Sequence, residues 1–397
     1  MSKKTVKDID LKGKKVFVRC DFNVPMDENQ KITDNRRIVA ALPTIKYLVE
    51  QNCKVILASH LGRPKGEVKP EFSLAPVAKE LSKQLGQEVL MAKDVIGESA
   101  KTLAANLQEG QVMLLENVRF HREETDNDPE FAKELASMAE VFVNDAFGTA
   151  HRAHSSTEGV SHFVKEAVAG FLMQKEIEFL SGTLENPKKP FVAILGGAKV
   201  SDKIGVIENL LEKVDKILIG GGMAFTFLKA QGFEIGKSIC EDDKLEEANN
   251  ILKKAEEKNI KIVLPKDVHV AKEYSNDSED KIVQTANIPV DFEGMDIGLK
   301  TIETFIDELE GAKTILWNGP LGVCEFDKFR IGTEKIAESI SKNREAISIV
   351  GGGDSVAVIK KLGLEDNFSH ISTGGGASLE LLEGKALPGL VCLTDKN

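Results

Sequence analysis

Apolar runs and helix-periodic segments alternate along the whole chain. In the first half the strand-like runs are Lys15-Val-Phe-Val-Arg-Cys20, Lys54-Val-Ile-Leu-Ala58, Val112-Met-Leu-Leu115 and Val141-Phe-Val143, separated by helical patterns near 37–50, 73–85 and 129–138. Such alternation predicts parallel βα units. A helical stretch over 171–184 then runs into Glu185-Asn-Pro187-Lys-Lys-Pro190, a turn and breaker sequence, after which the alternation restarts. Helical patterns follow near 201–213, 223–230, 242–258, 300–310, 331–342 and 354–361, with strand-like runs between most of them. The breaker marks a domain boundary. Each half predicts an α/β fold with a doubly wound parallel sheet, whose ligand sites lie at the carboxyl ends of the strands.

The second half adds a repeated punctuation. Four β-type runs stop on glycines: Phe191-Val-Ala-Ile-Leu-Gly196-Gly197, Ile217-Leu-Ile-Gly220-Gly221-Gly222, Ile347-Ser-Ile-Val-Gly351-Gly352-Gly353 and Ile371-Ser-Thr-Gly374-Gly375-Gly376. A helix-like segment is expected at once after each. A turn without Cβ atoms lets a ligand lie against backbone N–H groups, and a helix N-terminus adds about half a positive charge. One glycine between strand and helix is commonplace. Four double or triple glycines in one half predict a phosphate or nucleotide cradle.

Composition narrows the class. The 397 residues exceed the roughly 250–300 that one hydrophobic core supports, so two domains are expected. Hydrophobic residues at 42% and charged residues at 29% are those of a soluble globular protein,. No apolar stretch has the length of a membrane span, and Met1-Ser-Lys-Lys leads into no signal-peptide core,. The five cysteines are scattered without C-x-x-C pairing, which predicts reduced thiols and a cytoplasmic location,. A formal net charge of −11 argues against a nucleic-acid surface and makes a local basic cluster conspicuous,.

Such a cluster lies at the strand ends of the first half. The runs lead into Arg19-Cys20-Asp21-Phe22-Asn23, Ser59-His60-Leu61-Gly62-Arg63, Glu116-Asn117-Val118-Arg119-Phe120-His121 and Asn144-Asp145 through His151-Arg152-Ala153-His154, while Arg36-Arg37 opens the first helix. Exposed arginines are ordinary surface charges when they occur singly. Arginine at the same end of successive strands instead predicts a small, multiply anionic ligand held by bidentate guanidinium bonds.

Other patterns carry less. Gly232 to Gly236-Lys237-Ser238 has three residues between its glycines rather than a P-loop's four, and reads as a turn,. His60, His121, His151 and His154 lack zinc-site spacing, so anion binding or structural hydrogen bonding is favoured,. Lys4, Lys7 and Lys12 to Lys15 read as a solvated face, and the Glu/Lys-rich 241–259 segment as an exposed helix,. A nicotinamide-dependent dehydrogenase would need G-x-G-x-x-G with an acid about 20 residues on, a spacing that no glycine turn here keeps. A non-enzymatic binding module would need one ligand site, not two.

The blocks Asp21-Phe-Asn-Val-Pro25, His60-Leu-Gly-Arg-Pro64, Leu114-Leu-Glu-Asn-Val-Arg119-Phe120, Asn144-Asp-Ala-Phe-Gly148 with His151-Arg152, Gly196-Gly-Ala-Lys199-Val-Ser-Asp-Lys203, Trp317-Asn-Gly-Pro320 and Gly351-Gly-Gly-Asp354-Ser355 together resemble phosphoglycerate kinases. The match is collinear from about residue 5 to Leu387-Pro-Gly-Leu-Val-Cys392. The resemblance implies two Rossmann-like domains, 1–170 for phosphoglycerate and 186–384 for nucleotide, joined by a hinge helix over 171–185, with the tail 385–397 packing back on the first domain. It also implies a monomeric glycolytic enzyme catalysing 1,3-bisphosphoglycerate + ADP ⇌ 3-phosphoglycerate + ATP with Mg2+.

Carried over position by position, the resemblance implies an acceptor pocket of Asp21, Phe22, Asn23, Arg37, His60, Leu61, Gly62, Arg63, Arg119 and Arg152. Arg36 competes for one place, but alignment of the following Ile38-Val-Ala-Ala-Leu-Pro-Thr44 selects Arg37. It implies catalytic roles for Arg37, Lys199, Lys203 and Gly353. Nucleotide would be held by Gly196, Gly197, Lys203, Gly220, Gly221, Gly294, Asn318, Pro320, Glu325, Gly352, Gly353, Asp354 and Ser355, with magnesium on Asp354. Lys266 and Cys324 replace residues that are usually apolar in the family, which leaves the fine shape of the purine pocket open.

Overall fold

A computed structural model describes residues 2–396. The chain divides into two compact units, one running to Glu178 and resuming at Ala386, the other spanning Phe179–Lys385.

In the first unit six parallel strands, β1 (Lys15–Arg19), β2 (Lys54–Ala58), β3 (Val89–Met91), β4 (Val112–Leu114), β5 (Val141–Asn144) and β6 (Glu166–Ala169), lie in the order β3-β4-β2-β1-β5-β6. The register places Val16 beside Val55 on one side and Val141 on the other. Helices cover the sheet, so the strands are apolar on both faces, as parallel strands must be. The helix Arg36–Glu50 buries Ile38, Ala41, Leu42, Ile45 and Leu48, the i, i+3, i+4, i+7 stripe of an amphipathic helix,. That stripe joins Val16, Val18, Val55, Leu57, Leu114 and Val143 in one core. The C-terminal segment belongs to the same unit: Asn144 Nδ2 donates to Gly389 O at 2.8 Å, and Thr394 N donates to Ala167 O at 2.8 Å.

The second unit repeats the plan and adds to it. Strands β7 (Phe191–Leu195), β8 (Lys216–Ile219), β9 (Lys261–Val263), β13 (Thr314–Asn318), β14 (Ile347–Gly351) and β15 (His370–Ile371) form a parallel sheet in the order β15-β14-β13-β7-β8-β9. Between β9 and β13 lies an antiparallel sheet, β11-β10-β12, made of β10 (Asp267–Ala271), β11 (Asp280–Gln284) and β12 (Glu293–Ile297). Doubly wound parallel sheets alone do not predict this insertion. Its edge strand, Asp280-Lys-Ile-Val-Gln284, is mostly polar and exposed, so its apolar signal is weak,.

Two local expectations are corrected. After Gly196-Gly197 the helix does not begin at once but at Ile204. The intervening loop is pinned by Ser201, whose N and Oγ donate to Glu241 at 2.9 and 2.6 Å, and by the turn Lys203 N to Val200 O at 2.8 Å. Before Gly374–Gly376 the strand shrinks to His370–Ile371, since β15 is an edge strand paired only with β14. The helical stretch over 171–184 is continuous but not uniform: Phe171–Glu176 is α, Ile177–Ser181 is a π turn and Gly182–Glu185 is α again.

In both sheets the strand order reverses where the chain returns, between β1 and β5 in the first unit and between β7 and β13 in the second. Side-chain and backbone groups leaving the carboxyl ends at these reversals face open crevices, because the flanking connections run to opposite faces.

Candidate functional site

The carboxyl ends of the strands in each unit carry one half of the residues singled out in the sequence. In the first unit Arg63, Arg119 and Arg152 line one cavity of about 620 Å³, together with Lys65, His121, Arg122 and His154; Asp126 is the acid in its wall. Three loops from different strand ends converge there. Asn117 fastens two of them by donating through Nδ2 to Leu61 O at 2.8 Å and Phe72 O at 2.9 Å. Gly62 sits at φ +62°, and a Cβ there would lie 2.4 Å from the Phe72 ring, so both backbone and space demand glycine,.

Close enough to Arg119 to depress its pKa, Arg19 is completely buried at the end of β1. It donates through Nε to Ser156 Oγ at 2.7 Å, and Ser156 Oγ donates to buried Glu124 at 2.6 Å. Burial and the Arg19 and Arg152 charges lower the Arg119 pKa to about 10, and its buried Nε has no hydrogen-bond partner among the described residues. Burial, then Arg119, Arg19 and Arg152, push His154 down to about 4. Burial and Arg19 push His60 well below the ordinary imidazole range. Both imidazoles are neutral at pH 7, so guanidinium and ammonium groups supply the positive charge.

The remaining acceptor residues lie beside this cavity rather than in its wall. Arg37 pairs with Asp21, whereas Arg36 is turned onto Asp34. Asn23 Oδ1 accepts from Gly62 N at 2.8 Å, and Arg119 donates to Gly62 O at 2.9 Å, so one residue links the Asp21–Asn23 turn to the arginine cluster. Phe22 and Leu61 are core side chains, and His60 Nδ1 lies 3.2 Å from Arg19.

In the second unit Gly196, Gly197, Lys199, Lys203, Asn318, Pro320, Gly352, Gly353 and Asp354 line a cavity of about 630 Å³. Lys203 is buried against Asn318 Oδ1, and burial lowers its pKa to about 8. The helix Gly353–Lys361 starts at the wall with Asp354 in its first turn. Gly197, Pro320 and Asp354 also line an adjoining cavity of about 360 Å³, with Gly221, Gly294 and Glu325. At Gly221 a Cβ would lie 2.7 Å from Gly197 N and from Pro320 O, so the two loops can meet only through glycine.

Gly220 and Ser355 stand outside both walls. Gly220 N donates to Leu195 O at 3.0 Å, while the buried Ser355 Oγ has no hydrogen-bond partner among the described residues. Neither Lys266 nor Cys324 is in the wall of the smaller cavity; Cys324 Sγ points to Gly322 O and Thr333 Oγ1, each 3.6 Å away. Sequence reasoning missed the apolar lining, Phe225, Ile239, Tyr274, Met295 and Leu321. Phe225, Met295 and Leu321 read as ordinary core positions, and Ile239 and Tyr274 are exposed residues that no pattern singles out. The P-loop lookalike is a turn with a structural task, since Ser238 Oγ accepts from Gly294 N at 2.8 Å and so fixes one wall of the smaller cavity.

Among the described residues no group of three His, Cys, Asp or Glu side chains is placed to hold a metal, and no helix is long and apolar enough to cross a membrane. Asp354, in the wall of the larger glycine-lined cavity, is the type of lone carboxylate that shares a magnesium ion with phosphate oxygens,.

Comparison with known proteins agrees with this pairing of an arginine cluster and a glycine-lined cradle. A family model described as phosphoglycerate kinase matches residues 6–385. The cytosolic phosphoglycerate kinase of Triticum aestivum is 59% identical, with 98% of each chain covered, and a phosphoglycerate kinase of Clostridium perfringens is 58% identical over 100% of this chain and 99% of its own. The solved phosphoglycerate kinase of Coxiella burnetii superposes with a TM-score of 0.91 at 46% identity, over 98% of both chains. The chain belongs to the phosphoglycerate kinase family.

Proposed function

We propose that the chain catalyses reversible phosphoryl transfer between 1,3-bisphosphoglycerate and ADP, giving 3-phosphoglycerate and ATP, as a monomeric cytoplasmic enzyme of glycolysis. The observation that carries this reading is the convergence of Arg63, Arg119 and Arg152 on one cavity in a protein of net charge −11, with a buried Arg119 Nε–H that has no hydrogen-bond partner among the described residues. The relative from Triticum aestivum is named cytosolic, which supports the location.

The acceptor is a carboxylate with an ordinary pKa of about 3–4, already ionised at neutral pH, so the reaction needs no general base. The neutral His60 and His154 suit that requirement. The barrier is anion meeting anion, and positioning with charge neutralisation lowers it. Arg63, Arg119 and Arg152 grip the distal 3-phosphate, Asp21 and Asn23 orient the glycerate, and Arg37 reaches the reacting carboxylate. Lys203 and Lys199 hold the donor phosphates, and the helix start at Gly352-Gly353 receives developing negative charge. Asp354 would hold Mg2+, which neutralises phosphate oxygens when bound. Glu325 takes the ribose, and the apolar cavity takes the base.

A coupled assay with 3-phosphoglycerate and MgATP tests the reading directly: turnover must depend on both. In that assay Arg63→Ala or Arg152→Ala raises the KM for phosphoglycerate more than it lowers kcat, because these side chains bind the part of the substrate that does not react. The KM for MgATP stays nearly unchanged, and sulfate competes with phosphoglycerate. Equal loss of affinity for both substrates, or purely noncompetitive sulfate, contradicts the assignment.

The acceptor residues all precede 155 and the nucleotide residues all follow 195, so each ligand alone touches one unit. In-line transfer needs reacting atoms within roughly 3–3.5 Å. Closure therefore follows binding of both substrates, hinged at 171–185 and the 186–190 turn, since only then do contacts from both units shift the population. Solution scattering reads this. Either ligand alone changes the radius of gyration little, 3-phosphoglycerate with a nonhydrolysable ATP analogue compacts the protein, and identical scattering in all states rejects the hinge.

A further inference from the structure

Tyr274 lies in the loop 272–279 between β10 and β11 and is 56% exposed, yet it is tied down at both ends. Its ring stands edge-on to Phe326, with centroids 5.1 Å apart and planes at 64°. Phe326 in turn meets the fully buried Phe329. At the other end the Tyr274 hydroxyl donates to Glu325 Oε1 at 2.6 Å. Both Tyr274 and Glu325 line the apolar cavity beside the phosphate cradle.

A glutamate at an exposed rim samples several rotamers, and fixing it when a ligand arrives costs affinity. The bond from Tyr274 fixes it beforehand. A carboxylate accepts about four hydrogen bonds, so one taken by the phenol leaves Oε2 and a lone pair of Oε1 for a ligand. We propose that Tyr274 is a positioning residue of the nucleoside cavity: it orients Glu325 to accept from the sugar hydroxyls, and thereby sets a preference for ribonucleotides over nucleotides lacking them. The inference rests on the reading of Glu325 as the ribose-binding side chain. Burial and the bond to Glu325 raise the Tyr274 pKa to about 12, so the phenol remains a donor across the working pH range.

Steady-state kinetics with 3-phosphoglycerate and either MgATP or the magnesium complex of 2′,3′-dideoxyATP test this in the wild type, Tyr274→Phe and Glu325→Gln. Phenylalanine keeps the ring on Phe326 and removes only the hydroxyl. Its KM for MgATP rises about fivefold, the worth of one hydrogen bond, while its KM for the dideoxynucleotide hardly moves, so the preference contracts. The kcat and the KM for phosphoglycerate stay at wild-type values, a split that general loosening of the fold would not produce. Glu325→Gln contracts the preference at least as far. If Glu325→Gln contracts it and Tyr274→Phe does not, the positioning role is overturned while the ribose reading stands. If neither contracts it, the ribose reading fails and the proposal with it. An equal rise in KM for both nucleotides in Tyr274→Phe reduces Tyr274 to a wall of the cavity and also overturns the proposal.

Discussion

Arg37→Ala lowers kcat by about 10³–10⁵-fold, the worth of an arginine that stabilises charge in phosphoryl transfer, and leaves the unfolding transition almost unmoved. The two effects separate because of where the side chain lies. Arg37 is the second residue of its helix, partly exposed, and its ion pair is with Asp21 at the end of β1. Exposed pairs contribute at most about 1 kcal/mol to stability. Arg36→Ala is the control: its guanidinium is engaged with Asp34, and its loss should cost neither turnover nor fold. Turnover above a tenth of wild type in Arg37→Ala would sink the assignment.

Lys203→Met should lower kcat by about 10²–10³-fold, on the scale of removing one preorganised electrostatic donor. Unlike Arg37 it is buried, and burial brings its pKa from 10.5 to about 8. The sign of the linked stability follows. Between pH 8 and 10.5 the unfolded lysine binds more protons than the folded one, so stability from this group rises with pH across that window and is at its lowest below pH 8,. Lys203→Met loses that rise and is no less stable than wild type at pH 7. For function the sign is opposite: if the ammonium form meets the phosphates as proposed, nucleotide affinity in the wild type should fall as pH climbs through about 8. Calorimetric titration at several pH values, in buffers of different ionisation enthalpy, reads both the affinity and the accompanying proton uptake. An affinity flat across that range would exclude Lys203 from the phosphates.

The same two residues show what was legible in the chain. A β-type run ending in two glycines is a local pattern and marked a phosphate cradle, whereas the following Lys199 and Lys203 came from the family resemblance. Arg37 rather than Arg36 came from the family resemblance, through the alignment of Ile38 to Thr44; the apolar stripe from Ile38 to Leu48 by itself marked only the helix. Less local features went unseen. The short strands β3 and β6 are the two edges of the first sheet, each paired with one strand only. The antiparallel insertion depends on pairing between residues 267–271, 280–284 and 293–297, and its strands are individually weak.

By itself, the order of apolar runs, breakers and glycines determined two α/β halves, their boundary region and the strand ends at which ligands would bind, because each of these is written in neighbouring residues. Which cations are buried and which histidines are neutral was decided only when strands remote in sequence came together. Arg19 and Arg119 look alike as sequence, yet one is sealed against Ser156 and the other lines the cavity. The apolar cavity wall likewise joins distant residues, Phe225 to Leu321, and the Tyr274–Glu325 bond links residues 51 positions apart. Desolvation and hydrogen-bond geometry are properties of the packed surroundings, and those surroundings exist only in the folded chain.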